Sequence, residues 1–233
     1  NGFRQNGRRA QKTVNPALLT RKAMPEMTPA TYKPTHSFAD FAISDLLKQN
    51  IARHGYTVPT PIQDQAIKPI LAGRDVVGIA NTGTGKTAAF LIPLLNKIMH
   101  DRNQRALIVA PTRELAVQIR DECHAFAKGM NIFSVLCIGG MGIRPQIEVL
   151  RRNPNIVIGT PGRLKDLKNQ HKLNFVLFAN IVLDEVDRML DMGFIHDVRF
   201  IVSHLPKYRQ SLFFSATLSP EVTQVMKAFA QNP

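Results

Sequence analysis

Residues 75–99 read "DVVGIANTGTGKTAAFLIPLLNKIM". An apolar run rich in Val and Ile passes into a segment carrying Gly83 and Gly85, then into Lys86-Thr87 and a long apolar stretch of helical character. A strand, a glycine-bearing turn and a helix opened by Lys-Thr is the arrangement of a phosphate-binding loop. The glycines let backbone N–H groups approach phosphate oxygens, and the helix N-terminus adds favourable partial charge. The loop comprises Ala80, Asn81, Thr82, Gly83, Thr84, Gly85, Lys86 and Thr87. In this pattern Lys86 reaches the terminal phosphates and the Thr87 hydroxyl ligates Mg²⁺. The strict pattern has Gly first, where this chain has Ala80. Taken alone, a chance glycine-rich turn ahead of a helix therefore stands beside the phosphate reading.

Working outward, the same grammar recurs. "RALIVA" (105–110), "FSVLCI" (133–138), "NIVIGT" (155–160), "NIVLDE" (180–185) and "SLFFSA" (211–216) are short β-rich runs, each followed by a turn and a helical pattern. Such alternation predicts an α/β fold, a mostly parallel β-sheet with helices on both faces. Ahead of the loop, "SDLLKQNIARHG" reads as a helix capped by Ser44 and stopped at Gly55, and "PIQDQAIKPILAG" as a second helix opened by Pro61. Ligands of open α/β sheets bind beyond the carboxyl ends of the strands, where the polar clusters of this chain fall.

One such cluster is "IVLDEVDRML" (181–190), with Asp184, Glu185 and Asp187 directly after a buried run. Like charges this close repel, and burying them unpaired costs several kcal/mol or forces protonation. A lone Asp there reads as a helix cap. With a phosphate loop in the same chain, the cation-holding reading prevails. Asp184, at the end of a strand neighbouring the loop's own, serves the Mg²⁺ of an ATP complex, and Glu185 orients the attacking water. Asp187 then binds the "SAT" turn at Ser215 to Thr217 and couples the nucleotide site to whatever else the protein holds.

Composition narrows the partner. The 233 residues carry a formal charge of +13, which favours a polyanion, most often nucleic acid. Seven of the Lys and Arg residues fall in residues 1–37 against Glu26 alone, so this segment reads as a basic flexible arm, either a nucleic-acid contact or a solubilising tail. Cys123 and Cys137 form no close-spaced pair, the seven His are scattered, and neither a disulfide framework nor a zinc site is indicated. No apolar stretch approaches a membrane span, and the N-terminus is not signal-like. The expected setting is the cytoplasm, with the nucleus as the eukaryotic alternative.

In this order, these residues resemble the DEAD-box family of ATP-dependent RNA helicases, specifically its N-terminal RecA-like domain, from about residue 38 onward. "GYTVPTPIQ" (55–63) is similar to the family's glutamine motif, with Phe38 the isolated aromatic ahead of it. The resemblance implies that Gln63 reads the adenine edge while Tyr56 stacks on the ring. An amide also fits adenine's donor–acceptor pair on chemical grounds. Without those neighbours Gln63 is a surface helix glutamine, and Phe38 serves packing as well as it serves a ligand. "PTRELA" (111–116), "GG" (139–140) and "TPGR" (160–163) match the family's RNA-facing motifs. Thr112 and Thr160 offer hydroxyls, Arg113 and Arg163 offer forks, and Gly139 and Gly140 expose backbone N–H groups. Such a backbone grip is sequence-independent. For Arg113 an ion pair with Glu114 or another acid is the competing role. Preference for RNA over DNA rests on the resemblance alone.

The sequence departs from the family in two ways. The acid motif has Val186 where the family's namesake has Ala, keeping every carboxylate but adding two methyl groups. If unrelieved, the extra volume costs about 1–3 kcal/mol. The chain also stops at "AQNP", without the second RecA-like domain whose arginine completes the ATP site, a contribution of roughly 10³-fold or more. The expectation is an ATP- and RNA-binding half of a helicase with little turnover of its own. The alternatives are a nucleotide- or RNA-binding module without catalysis, or a P-loop kinase or transport ATPase, which has no need of the flanking motifs.

Overall fold

The computed structural model describes residues 32–230. Most of the basic arm read over residues 1–37 therefore lies outside the described residues. From Pro34 onward the chain forms one compact unit. Six four- to six-residue strands make one sheet: β1 (Val76–Ile79), β2 (Ala106–Val109), β3 (Ser134–Cys137), β4 (Ile156–Gly159), β5 (Asn180–Leu183) and β6 (Gln210–Ser215). Their order across the sheet is β1-β6-β5-β2-β4-β3 and every pairing is parallel. All carboxyl ends thus emerge on one edge.

The strands alternate between two cores, as a sheet covered on both faces demands. Ala106, Ile108, Ile156, Ile158, Val182, Leu212 and Phe214 face one cluster. The helices over it are α1 (Asp45–Arg53), α2 (Pro61–Leu71), α3 (Lys86–His100) and α4 (Arg113–Phe126). Leu107, Val109, Val157, Ile181, Leu183 and Phe213 face the other. There α5 (Ile143–Leu150), α6 (Pro161–Asn169), α7 (Val186–Asp191), α8 (Ile195–Ser203) and α9 (Pro220–Phe229) close the second layer. Val186 sits in this second cluster at 1% exposure beside Met189, so its two extra methyl groups are absorbed by core packing.

Helix starts follow the local chemistry read from the sequence. Ser44 accepts a hydrogen bond from the Leu47 N–H, and Thr112 one from Leu115, each satisfying an orphan donor of the first turn. Pro61 and Pro161 occupy first helical positions, where a missing N–H costs nothing.

One expectation about the sheet is corrected. Asp184 does not end a strand neighbouring β1, because β6 lies between β1 and β5. Two strand spacings, about 10 Å, separate the ends of β1 and β5. The intervening strand ends in Ser215, a small side chain at 0% exposure, whose carbonyl accepts from the Ala80 N–H at 3.0 Å.

Candidate functional site: two clefts on one sheet edge

The phosphate loop leaves β1 and returns as α3 through two left-handed glycines, Gly83 (φ 81°) and Gly85 (φ 89°). Gly85 is the N-cap of α3 at a φ that other residues rarely adopt, and a Cβ there would also displace the Gln63 amide. Within the loop, the Thr84 hydroxyl donates to Asn81 O at 2.7 Å. Lys86, only 6% exposed, donates from Nζ to Ala80 O at 2.9 Å. The off-pattern Ala80 thus takes part through its backbone, and its side chain is not called upon.

Past β5, Glu185 adopts φ 52° and ψ 56°, a left-handed conformation that costs a non-glycine residue roughly 1 kcal/mol or more. This turn drops the acids at the strand end: Asp184 is 2% and Glu185 7% exposed. The Glu185 N–H donates to Asp184 Oδ1 at 3.0 Å, and Glu185 accepts from Arg188 at 3.2 Å and from the Thr82 hydroxyl at 3.4 Å. Burial pushes the Asp184 carboxyl up to about 7; the Lys86 charge opposes that rise, and Glu185 and Asp187 add to it. A carboxylate so desolvated gains most from a nearby cation.

Asp187 turns the other way. Its Oδ2 accepts from the N–H groups of Ala216 and Thr217, each at 3.0 Å, and from the Thr217 hydroxyl at 3.1 Å, while its own N–H donates to Ser215 Oγ at 3.3 Å. Burial alone would raise its pKa, but the bonds from Arg188 N–H, Ser215 and Thr217 outweigh it and hold the carboxyl below its ordinary range. The acid loop and the turn after β6 are thereby laced together.

A cleft of about 380 Å³ gathers Thr82, Gly83, Gly85, Lys86, Thr87, Asp184 and Glu185 with Tyr56, Leu115, Gln118 and Glu122. The last three were not anticipated. They lie at i, i+3 and i+7 of α4, beside its buried stripe of Ala116, Ile119, Cys123 and Phe126, so their shared face was legible but not its destination. The Tyr56 hydroxyl donates to Glu122 Oε1 at 2.5 Å. Burial raises both groups, and that bond partly offsets the rise at Glu122. Gln63 stands apart from this lining. It is fully buried, with Oε1 accepting from Thr60 N–H at 3.0 Å and Nε2 donating to Gly85 O at 3.1 Å. Phe38, 7% exposed, packs edge-on against Phe41 and Tyr56 at 6.0 and 6.2 Å.

The donor set suits Mg²⁺. This ion keeps several waters and takes one or two carboxylates plus substrate oxygens, so it needs no all-protein cage. Among the described residues no three His, Cys, Asp or Glu side chains gather as a cage. Thr87 and a buried Asp184 in one cleft are the kind of ligands this ion takes.

The second cleft, about 580 Å³, lies at the ends of β2, β3 and β4. It is lined by Thr112, Arg113, Gly139, Thr160 and Arg163, with Glu114, Gly162, Asp166, Met192 and Phe194 among the further residues. Arg113 lies over the Gly139–Gly140 turn. Gly140 adopts φ 74°, which favours glycine, and a Cβ there would push the Arg113 guanidinium aside. No ion pair between Arg113 and Glu114 occurs among the described residues. Arg163 donates to Met141 O at 3.2 and 3.3 Å, with Asp166 at 3.9 Å.

A glycine-nested lysine and a strand-end acid pair on the carboxyl edge of a parallel sheet fit an α/β domain of RecA-like fold. The family model for DEAD/DEAH box helicases matches residues 60–225, and the chain belongs to that family. It is 43% identical over 197 residues to the ATP-dependent RNA helicase CshA of Limosilactobacillus reuteri, covering 84% of this chain and 40% of that protein. It is 42% identical over 205 residues to the DEAD-box ATP-dependent RNA helicase RhpA of Helicobacter pylori strain B128, covering 88% and 41%. The crystal structure of a DEAD box protein from the hyperthermophile Methanococcus jannaschii superposes with a TM-score of 0.81 at 38% identity, over 84% of this chain and 54% of that one. The chain thus spans about two fifths of the length of these two relatives.

Proposed function

We propose that this chain is the N-terminal ATP- and RNA-binding domain of an ATP-dependent RNA helicase that remodels RNA duplexes. The observation that carries this is the single cleft holding Lys86, Thr87, Asp184 and Glu185 on the same sheet edge as the arginine-lined cleft.

In that role Lys86 exchanges the Ala80 carbonyl for terminal phosphate oxygens, and loop N–H groups from Thr82 to Lys86 hold the phosphates. Asp184 and Thr87 hold Mg²⁺, directly or through water. When bound, the ion neutralises phosphate charge. Glu185 accepts a proton from, or orients, the attacking water, and its turn conformation fixes the carboxylate before substrate arrives. Tyr56 stacks on the base. Gln63 reads adenine once its amide exchanges the Thr60 or Gly85 partner for the ring edge. Thr112, Arg113, Gly139, Gly140, Thr160 and Arg163 grip the RNA backbone without reading sequence. Asp187, through Ser215 and Thr217, passes the state of the acid loop to the turn after β6. A second RecA-like domain supplies the arginine that completes hydrolysis, so the 233 residues alone bind nucleotide and turn it over slowly.

The test is steady-state ATP hydrolysis by this chain, with and without single-stranded RNA, beside Glu185→Gln. ADP binding with hydrolysis no higher than that variant supports the reading. RNA-stimulated turnover lost in Glu185→Gln would show that these residues complete the site unaided. Failure to bind adenine nucleotide at all would refute it.

A further inference from the structure

Tyr56 stands on the short connection between α1 and α2, after Gly55, and has no sheet ladder to hold it. Its N–H donates to Ile51 O at 3.2 Å, and its side chain is held by three rings and one hydrogen bond. His54 lies parallel to it within 12° at 5.9 Å, while Phe126 and Phe38 meet it edge-on at 5.5 and 6.2 Å. Aromatic contacts of this kind confine a ring but leave it free to slide over a shallow surface. The directional restraint is the bond from the phenol to Glu122 on α4, 66 residues along the chain. A carboxylate acceptor makes that bond short and charge-assisted.

Glu122 is a costly choice for a packing role. The buried stripe beside it is Ala116, Ile119, Cys123 and Phe126, and an apolar residue at 122 would extend that stripe with no charge to desolvate. The charge instead sits in the nucleotide cleft, facing a phenol. Helix α4 is a fourteen-residue element packed into the first core, so the ring is referenced to a rigid body and not to another loop.

We infer that Glu122 is a positioning residue for nucleotide binding: it holds the Tyr56 ring at the angle against which the base stacks, without itself touching the nucleotide. This rests on the reading that Tyr56 stacks on the base, and the experiment separates the two. Calorimetric titration of the chain with ADP is run beside tripolyphosphate, which probes the phosphate loop alone. Tyr56→Phe and Glu122→Ala each weaken ADP about five-fold, the value of one hydrogen bond. The double variant is no weaker than either single one, because both remove the same bond. Glu122→Gln, whose amide oxygen still accepts from the phenol, restores affinity to within about two-fold of the parent. Tripolyphosphate affinity is the same in all.

Unchanged ADP affinity in Glu122→Ala, or additive losses in the double variant, would overturn the positioning role. So would an equal loss for tripolyphosphate, which marks general damage to the loop. If Tyr56→Ala binds ADP as the parent does, the stacking reading itself fails, whatever Glu122 does.

Discussion

The two clefts share one sheet edge but are built differently. The first cleft depends on titratable side chains brought together from distant parts of the chain: Lys86 after β1, Asp184 and Glu185 after β5, Glu122 from α4. Its groups already engage one another, Lys86 with Ala80, Glu185 with Thr82 and Arg188, Tyr56 with Glu122. The arginine cleft relies on strand-to-helix turns, with hydroxyls at N-caps, Arg113 over glycine backbone and Arg163 on the Met141 carbonyl. The difference suits the proposed tasks. Chemistry at one phosphate needs charge fixed within a fraction of an ångström, whereas a grip on a repeating backbone needs only donors at intervals.

The sharpest way to break this contrast is Glu185→Gln, assayed with RNA in a protein that carries the proposed second RecA-like domain. Hydrolysis is expected to fall at least ~100-fold with ADP affinity retained, as read by phosphate release and calorimetry. A change in RNA affinity of similar size would mean the clefts are not separable. Next comes Arg113→Ala, expected to weaken single-stranded RNA binding about ten-fold and to lower the slope of log affinity against log salt by about one. An unchanged slope would show that Arg113 contacts no phosphate.

Val186→Ala tests whether the departure in the acid motif belongs to the core or to the chemistry. Its side chain is buried in the second cluster, so stability should drop by about 1–3 kcal/mol in urea denaturation while turnover per folded molecule is unchanged.

The smallest effect concerns pH. Burial raises the Glu122 pKa, so the native state holds that proton more tightly than the unfolded chain, and stability falls as pH rises through the folded pKa. Glu122→Gln removes the penalty. Its melting temperature should match the parent near pH 4 and exceed it by a few degrees at pH 8, in scans by differential calorimetry.

Much of this was legible in advance because the information is local. Short apolar runs located all six strands, and the four central ones, buried on both faces, have no polar side to show. Gly83 and Gly85 announce a turn with positive φ between β1 and α3, which the structure shows. Gln118 and Glu122 escaped notice for the converse reason. On a helix with one buried stripe, a polar residue at its margin looks like any solvated residue until something packs against it.

Sequence alone therefore determined the elements, the sheet's parallel character, the glycine turn after β1 and the acid cluster after β5, all of which follow from spacing within a few residues. Tertiary structure alone decided the rest. It placed β6 between β1 and β5, turned the Gln63 amide onto Gly85, set Arg113 over Gly140 and joined Tyr56 to Glu122. Those contacts arise from how crossover helices pack on a twisted sheet, which orders strands by burial and connection geometry and leaves no mark in any short stretch of residues.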